Sequence, residues 1–375
     1  MSPHRPRRLL LGATALIAAA AATAAILPAQ AEEPDPAAST AAPALAAPTG
    51  PLAVGTTQLH LVDRDRPDPW FPDQDRQLMV TMWFPTEDRG ATAPYMTEAE
   101  SAAFAEQLPE DVPADYFAAV GTNAVADAEP VDGELPLVML SPGWSFPRAT
   151  LTGLAEELAS QGFAVAAVGH NFEAPMELPD GTLNTCLACP MRPEGFDVTT
   201  GRAADLAFVL DELTQRGSAW RPHLDRDRIA VGGHSMGGSA AHTVMQTDDR
   251  FGAGFNLDGA LHDAEDAPIE EPFLLIGNAV NGIPGEADGW LSAWPQMDDW
   301  KRWIRVEQTT HSSFTDMAPL ADDLGIPIQE MEGARIADLT RAYVTAFVKQ
   351  ALDCEPSDLF DGPSQDWPEA VFEHP

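Results

Sequence analysis

The chain has 375 residues, 58 of them acidic and 21 basic, for a net charge of −37. A field of that sign repels nucleic acid and anionic membranes and excludes a binding module for either. With three cysteines in this length a disulfide-built scaffold is excluded too, and one large α/β domain behind an N-terminal leader is the organisation expected.

The first 31 residues read as a secretory signal peptide. Arg5, Arg7 and Arg8 form a basic start, an apolar Ala/Leu-rich run follows, and Ala29-Gln30-Ala31 supplies a small-residue cleavage site. The Arg7-Arg8 pair leaves twin-arginine export open beside the general route. No second apolar run approaches the roughly 18 residues that a spanning helix needs. The expected product is extracellular, with no membrane anchor after cleavage. Without the leader, 18 basic residues face 58 acidic ones, a net charge of −40. Residues 32–50, EEPDPAASTAAPALAAPTG, read as a Pro/Ala-rich linker. The catalytic domain is then expected over 51–375, without internal repeats.

Alternating apolar residues at 56–63 and 77–85 predict an antiparallel, hairpin-like start. LPLVMLSPG (135–143) reads as a buried strand, a helix follows over 149–160, and FAVAAVGH (163–170) is a second buried strand. Residues 171–198 are irregular and Pro-rich. They carry Cys186 and Cys189, for which a local disulfide is expected in an exported protein. Cys354 is left over, either buried or paired with one of these two. An amphipathic helix is predicted over 202–216, a strand over 228–235 running into a helix, strands at 253–259, 272–278 and 303–309, and a terminal helix over 334–352. Strands alternating with helices predict a mostly parallel sheet covered on both faces. In such sheets ligands bind beyond the carboxyl ends of the strands. Gly143, His170, Ser235 and Asp258 all fall at such ends.

The turn Gly233-His234-Ser235-Met236-Gly237 fits G-x-S-x-G between a buried strand and a helix. That context lifts a serine hydroxyl clear of the sheet and aims the Met236 N–H, at a helix N-terminus, toward developing negative charge. A serine nucleophile needs a base, and the base an orienting acid, here in the order Ser, acid, His. Of the later histidines, His242 lies in the following helix, His262 four residues after Asp258, and His374 next to the C-terminus. His311 follows the last predicted strand at its carboxyl end and is the expected base. For the acid, Asp258 ends a buried strand, while Glu286 and Asp288 lie in the loop after the next one.

The motifs LVMLSPGWS, LASQGFAVAAVGHN, VGGHSMGG, NLDG and HSSFTD, in that order, resemble the plasma-type platelet-activating factor acetylhydrolase family over roughly residues 55–350. That family shares the α/β-hydrolase fold with bacterial lipases and cutinase-like polyester hydrolases. The resemblance implies Ser235 as nucleophile, Asp258 of the Leu257-Asp258 pair as acid, and His311, opening an H-x-x-F-x-D stretch with Phe314 and Asp316, as base. It also implies an oxyanion hole made by the N–H groups of Met236 and Trp144. In Ser141-Pro142-Gly143-Trp144 a proline replaces the family's usual histidine and a large aromatic occupies the donor position. Trp144 and Phe146 would then crowd the acyl side of the serine, or pack beneath the loop.

The implied activity is hydrolysis of short-acyl carboxylic esters, with small-molecule or lipid esters as partners and no metal or organic cofactor. A lipase or polyester hydrolase is the alternative within that class, and a non-catalytic binding protein on the same fold the alternative outside it.

Overall fold

The structure, a computed structural model, describes residues 42–108, 111–262, 267–298 and 300–375. The leader read over 1–31 and residues 32–41 of the linker lie outside them. In chain order the described residues form β1 (Val54–Pro67), β2 (Asp75–Pro85), α1 (Glu98–Ala105), β3 (Val125–Ala126), β4 (Leu135–Ser141), α2 (Thr152–Ser160) and β5 (Ala164–His170). The short strands β6 (Met176–Glu177) and β7 (Leu183–Asn184) come next, then α3 (Gly195–Thr214), β8 (Leu224–His234), α4 (Met236–Met245), β9 (Ala253–Leu257) and β10 (Phe273–Gly277). The chain ends through α5 (Trp290–Ala293), β11 (Lys301–Val306), α6 (Met317–Asp323), α7 (Gly333–Leu352) and β12 (Ala370–Glu373).

All of these strands except β6 and β7 share one sheet, ordered β12-β11-β10-β9-β8-β4-β5-β2-β1-β3. From β5 to β11 neighbouring strands run parallel, β1 and β2 form the antiparallel hairpin at one side, and β12 closes the other side antiparallel to β11. The uninterrupted apolar runs of the central strands follow from burial on both faces. In β4, Val138 and Leu140 join the core under α2 and α7, while Leu137 and Met139 join the core under α3 and α4. Helix α7 buries Ile336, Leu339, Tyr343, Val344, Phe347 and Val348, a spacing of three and four that sets one face of a helix on the sheet. This is an α/β-hydrolase sheet with helices on both sides, the fold class read from the sequence.

Three local expectations change. The linker read over 32–50 does not run to residue 50, because residues 42–50 lie on the domain. Leu45 is buried and its N–H donates to the Gly121 carbonyl, and Thr49 bonds the Glu157 carboxylate through both its N–H and its hydroxyl. A single leucine among alanines carries no periodicity, so sequence pattern could not locate this contact. Helix α3 begins at Gly195, inside the stretch read as irregular to 198, since its first two turns, GFDVTTG, are mostly glycine and polar residues without a helical apolar spacing. Strand β12 was not anticipated. It lies at an edge, where only Ala370 of its four residues is fully buried.

Asp316 locks the loop after β11 against α2. Its N–H donates to the Thr150 carbonyl and its carboxyl accepts from the Gly153 N–H at 3.1 Å. Burial pushes that carboxyl up to about 8, opposed by the Gly153 N–H and reinforced by the negative charge of Glu156. The folded protein therefore holds a proton that the unfolded chain releases near its ordinary value of about 4. Its contribution to stability falls as pH rises from about 4 to about 8, and the loss is complete above that window. Asp316→Asn removes this dependence. In thermal melts the variant should gain about 3 °C or more on the wild type between about pH 5 and pH 8.5. An unchanged difference across that range would contradict the burial argument.

Candidate active site

Ser235 sits between the end of β8 and the start of α4 with φ 54° and ψ −124°. This backbone is costly for a residue with a side chain. It is held by the Ser235 N–H on the Leu257 carbonyl at 2.9 Å and by the Ser239 N–H on the Ser235 carbonyl at 3.0 Å. The flanking glycines are required by a close approach. A Cβ at Gly233 or Gly237 would stand 2.0 or 1.8 Å from the Ser141 carbonyl oxygen. The turn thus presents Ser235 half-buried, and Met236 opens α4, where a first-turn N–H has no acceptor within the helix.

His311 and Asp258 meet this serine in one hydrogen-bonded line. His311 Nε2 lies 2.8 Å from Ser235 Oγ, and His311 Nδ1 lies 2.6 Å from Asp258 Oδ2. The His311 side chain is 49% exposed while that of Asp258 is 0% exposed, so the imidazole faces solvent and the carboxylate does not. A buried carboxylate needs donors. Asp258 Oδ1 accepts from the Asn278 N–H at 2.8 Å, and Oδ2 accepts from Asn278 Nδ2 at 2.7 Å and Asn281 Nδ2 at 3.1 Å. With Asp258 accepting, His311 carries its proton on Nδ1 and offers a lone pair on Nε2 to the serine.

His234 supports the same line from below. It is buried, and its Nε2 lies 2.7 Å from the His311 carbonyl oxygen, with the two rings 4.7 Å apart. Burial, and then the neighbouring His311, bring its pKa down to about 3. A neutral ring donating from Nε2 to that carbonyl fixes the backbone from which the His311 imidazole projects. Sequence reasoning assigned His234 only to the turn.

The loop after β4 lines the other side of Ser235. A Cβ built at Gly143 would stand 3.4 Å from that of Ser235. Trp144 is half-buried, set edge-on to Trp70 at 5.8 Å, with the Arg202 guanidinium 5.9 Å from its ring. Phe146 packs against Phe104 at 5.7 Å and His234 at 5.8 Å. Of the two aromatics, Phe146 packs beneath the loop and Trp144 stays half-buried against Trp70 and Arg202.

The other sequence candidates lie elsewhere. Asp288 joins the neighbouring loop through its carbonyl, which accepts from the Leu261 N–H, and the Glu286 N–H closes a turn on the Ile283 carbonyl of its own loop. His242 is buried in α4 against Phe273, His262 packs on Gly195, and His374 is exposed. Cys186 and Cys189 are joined in a disulfide, and Cys354 is an exposed free thiol. Asn278 and Asn281 escaped sequence reasoning. Asn278 ends the buried strand PFLLIGN as Asp258 ends AGFNLDG, and that parallel was the available signal.

No family model matches the sequence. The chain is similar to the solved structure of a ferulic acid esterase from Streptomyces cinnamoneus, with 41% identity and a TM-score of 0.82, covering 89% of this chain and 100% of that one. It is 26% identical over 369 residues to a probable 1-alkyl-2-acetylglycerophosphocholine esterase of Arthroderma benhamiae, covering 87% of this chain and 92% of that relative. A bis(hydroxyethyl) terephthalate hydrolase of Streptomyces coelicolor is 25% identical over 185 residues, 48% of this chain and 52% of that protein.

The geometry ranks the two acids. Asp258→Asn should lower kcat by about 10⁴-fold, since an amide in that position favours the wrong imidazole tautomer. Asp288→Asn should leave kcat within about twofold, as a surface change distant from the imidazole. Steady-state kinetics on any turned-over ester decides between them, and the reverse ranking would place the acid on the later loop.

Proposed function

The chain belongs to the platelet-activating factor acetylhydrolase-like family of α/β-hydrolases, and we propose that within it the protein is an exported serine esterase acting through Ser235, His311 and Asp258. It is a carboxylic ester hydrolase, and its relatives imply small-molecule esters as substrates. The observation that carries the serine mechanism is the unbroken line from Ser235 Oγ through His311 to Asp258, at 2.8 and 2.6 Å. His311 Nε2 takes the hydroxyl proton as Ser235 Oγ attacks the ester carbonyl. The Met236 and Trp144 N–H groups receive the oxyanion, and the imidazolium returns its proton to the leaving alcohol. Water then repeats the sequence on the acyl-enzyme and releases the acid.

Short acyl groups suit a half-buried serine whose neighbouring loop carries the half-buried Trp144. Each methylene buried adds about 0.8 kcal/mol until the chain meets the aromatic wall, where overpacking costs about 1 to 3 kcal/mol. A second reading, flat aromatic acyl groups, is favoured by the half-buried Trp144 and Trp70 pair and by the similarity to a ferulic acid esterase. The export reading rests on the leader over 1–31 and on the Cys186–Cys189 disulfide, which suits an oxidising compartment. Among the described residues no helix is long and apolar enough to cross a membrane.

Kinetics and mapping of the exported protein test these proposals. Ser235→Ala should remove at least about 10³-fold of activity and all fluorophosphonate labelling while leaving the melting temperature near that of the wild type. On the wild type, kcat/KM across p-nitrophenyl acetate to palmitate should peak at or below about six carbons, with methyl ferulate assayed beside them. A peak at about twelve carbons or beyond would favour a lipase. For export, N-terminal sequencing of the protein recovered outside the cell should begin at Glu32, and non-reducing peptide maps should recover Cys186 bonded to Cys189. An uncleaved Met1 would reject the leader.

A further inference from the structure

Behind the loop that carries Trp144 lies a second hydrogen-bonded line of serine, histidine and aspartate, wholly buried. Ser141 Oγ is 2.9 Å from His170 Nε2, and His170 Nδ1 is 2.7 Å from Asp205 Oδ2. All three residues are at most 3% exposed, so no substrate reaches this serine. Asp205 is also gripped by Arg76, through Nη2 at 2.6 Å, and by Arg66, through Nη2 at 2.5 Å. Arg76 joins it to Asp68 at 2.9 Å and to Glu173 at 3.1 Å, and Glu173 in turn receives Arg202 Nε at 2.7 Å. Three carboxylates thus face three guanidiniums in a cluster that ties β1, β2, β4, β5 and α3 together.

The cluster reaches the candidate oxyanion loop at successive residues. The Ser141 hydroxyl is held by His170. The Pro142 carbonyl accepts from Arg202 Nη1 at 2.5 Å, and the Gly143 carbonyl from Arg202 Nη2 at 3.4 Å. The Ser145 N–H donates to the Glu173 carbonyl at 3.0 Å. In a trans peptide the C=O and the following N–H point in opposite directions. A guanidinium drawing the Pro142 and Gly143 carbonyls inward therefore turns the Gly143 and Trp144 N–H groups outward, to the side away from Arg202. Burial and the charge of Arg202 keep the His170 pKa below its ordinary value. Its neutral ring donates from Nδ1 to Asp205 and accepts the Ser141 proton at Nε2, so every link in the line has one donor and one acceptor.

We propose that Ser141, His170, Asp205 and Arg202 are positioning residues that aim the Trp144 N–H at the oxyanion formed on Ser235. Burying so many charges costs desolvation free energy that ion pairing does little more than offset, so such a cluster is weak as a source of stability. Its ordered donors and acceptors instead leave the loop a single orientation, which a preorganised oxyanion site requires. The inference rests on the reading of Ser235 as nucleophile and of Trp144 as a donor.

The test uses the full chain with Ser141→Ala and Arg202→Lys. Lysine keeps the charge but cannot span both carbonyls and Glu173 at once. Functional serines are counted by fluorophosphonate titration, and kcat, KM and the inhibition constant of a trifluoromethyl ketone are expressed per titrated site. Loss of one oxyanion donor costs about 10²–10³ in kcat, so a donor left in place but unaimed should cost about tenfold in Ser141→Ala and about 100-fold in Arg202→Lys. KM should stay within about twofold, and ketone affinity should fall by the same factor as kcat/KM, because the tetrahedral adduct needs the donors and the ground-state ester does not. A purely structural role would lower the number of titrated serines and leave kcat and ketone affinity per site unchanged, which would overturn the proposal. Wild-type kinetics in folded Ser141→Ala would overturn it as well, and that variant decides the matter if Arg202→Lys does not fold. A wild type that resists the fluorophosphonate would remove the serine reading itself, a failure distinguishable from the others because it needs neither variant.

Discussion

The site depends on how closely the end of β4 passes the nucleophile turn. The Ser141 carbonyl occupies space that a methyl group on either Gly233 or Gly237 would need. Hydrogen alone at both positions lets β4 and β8 stay in register up to the pair Ser141 and Gly233. The two halves of the chemistry leave the sheet at that point. Ser235 departs upward from β8 into α4, and Pro142-Gly143-Trp144 departs from β4 over the serine. A displacement of one strand end would move Ser235 Oγ and the N–H groups of the proposed oxyanion site relative to each other. Effective catalysis tolerates about 0.5 Å of such error.

The acid follows a similar logic one strand further along. Asp258 adopts φ 62°, an unfavourable backbone for aspartate, at the end of β9. The turn is held by the Asp258 N–H on the Ile276 carbonyl at 2.7 Å, and the carboxylate by Asn278 and Asn281. Neighbouring β10 therefore supplies the backbone acceptor, and the segment directly after it supplies the side-chain donors. Among the described residues, nothing anchors the carboxylates of Glu286 and Asp288 in a comparable way. A rigid strand end holds an orienting charge better than a long loop, and the energetic cost of the strained backbone is borne by the sheet around it.

The sheet was legible because its central strands are continuous apolar runs between turn signals, and the helices because α3 and α7 bury residues at a spacing of three and four. Edge elements were not: β12 and β3 are too short and too exposed to show a period. Ser235, His311 and Asp258 were legible for a different reason, since each closes a buried strand or follows one, and strand ends are where open α/β sheets place function. The residues that orient them were hidden. Arg202 and Asp205 lie in a helix whose pattern reads as ordinary amphipathic sequence, where arginine and aspartate three apart pass for a solvated pair. Arg76 opens a strand, where a charged residue reads as solvent-facing. Their burial is a property of tertiary packing, because several strands and α3 must converge before six charges can satisfy one another. Trp144 and Phe146 illustrate the same limit, since one packs on Trp70 and Arg202 and the other on Phe104 and His234 although they stand two residues apart.

The acidic character of the chain acts on a different scale from the site. Its few cations are largely committed within the protein. Arg66, Arg76, Arg148 and Arg202 serve buried carboxylates, and Arg228, Arg250, Arg305, Arg335 and Arg341 pair at or near the surface. The excess acid is left to set a negative long-range field, screened over about 10 Å at moderate salt. An ester hydrolase must stabilise negative charge on one oxygen, which such a field opposes. In the proposed mechanism the opposition is overcome at short range, by N–H groups within hydrogen-bonding distance and by the N-terminus of α4, whose effect fades within a turn. Beyond that distance the same field disfavours anionic esters and favours departure of the carboxylate product. Orientation of a few amides governs the chemical step, and net charge governs what approaches and what leaves.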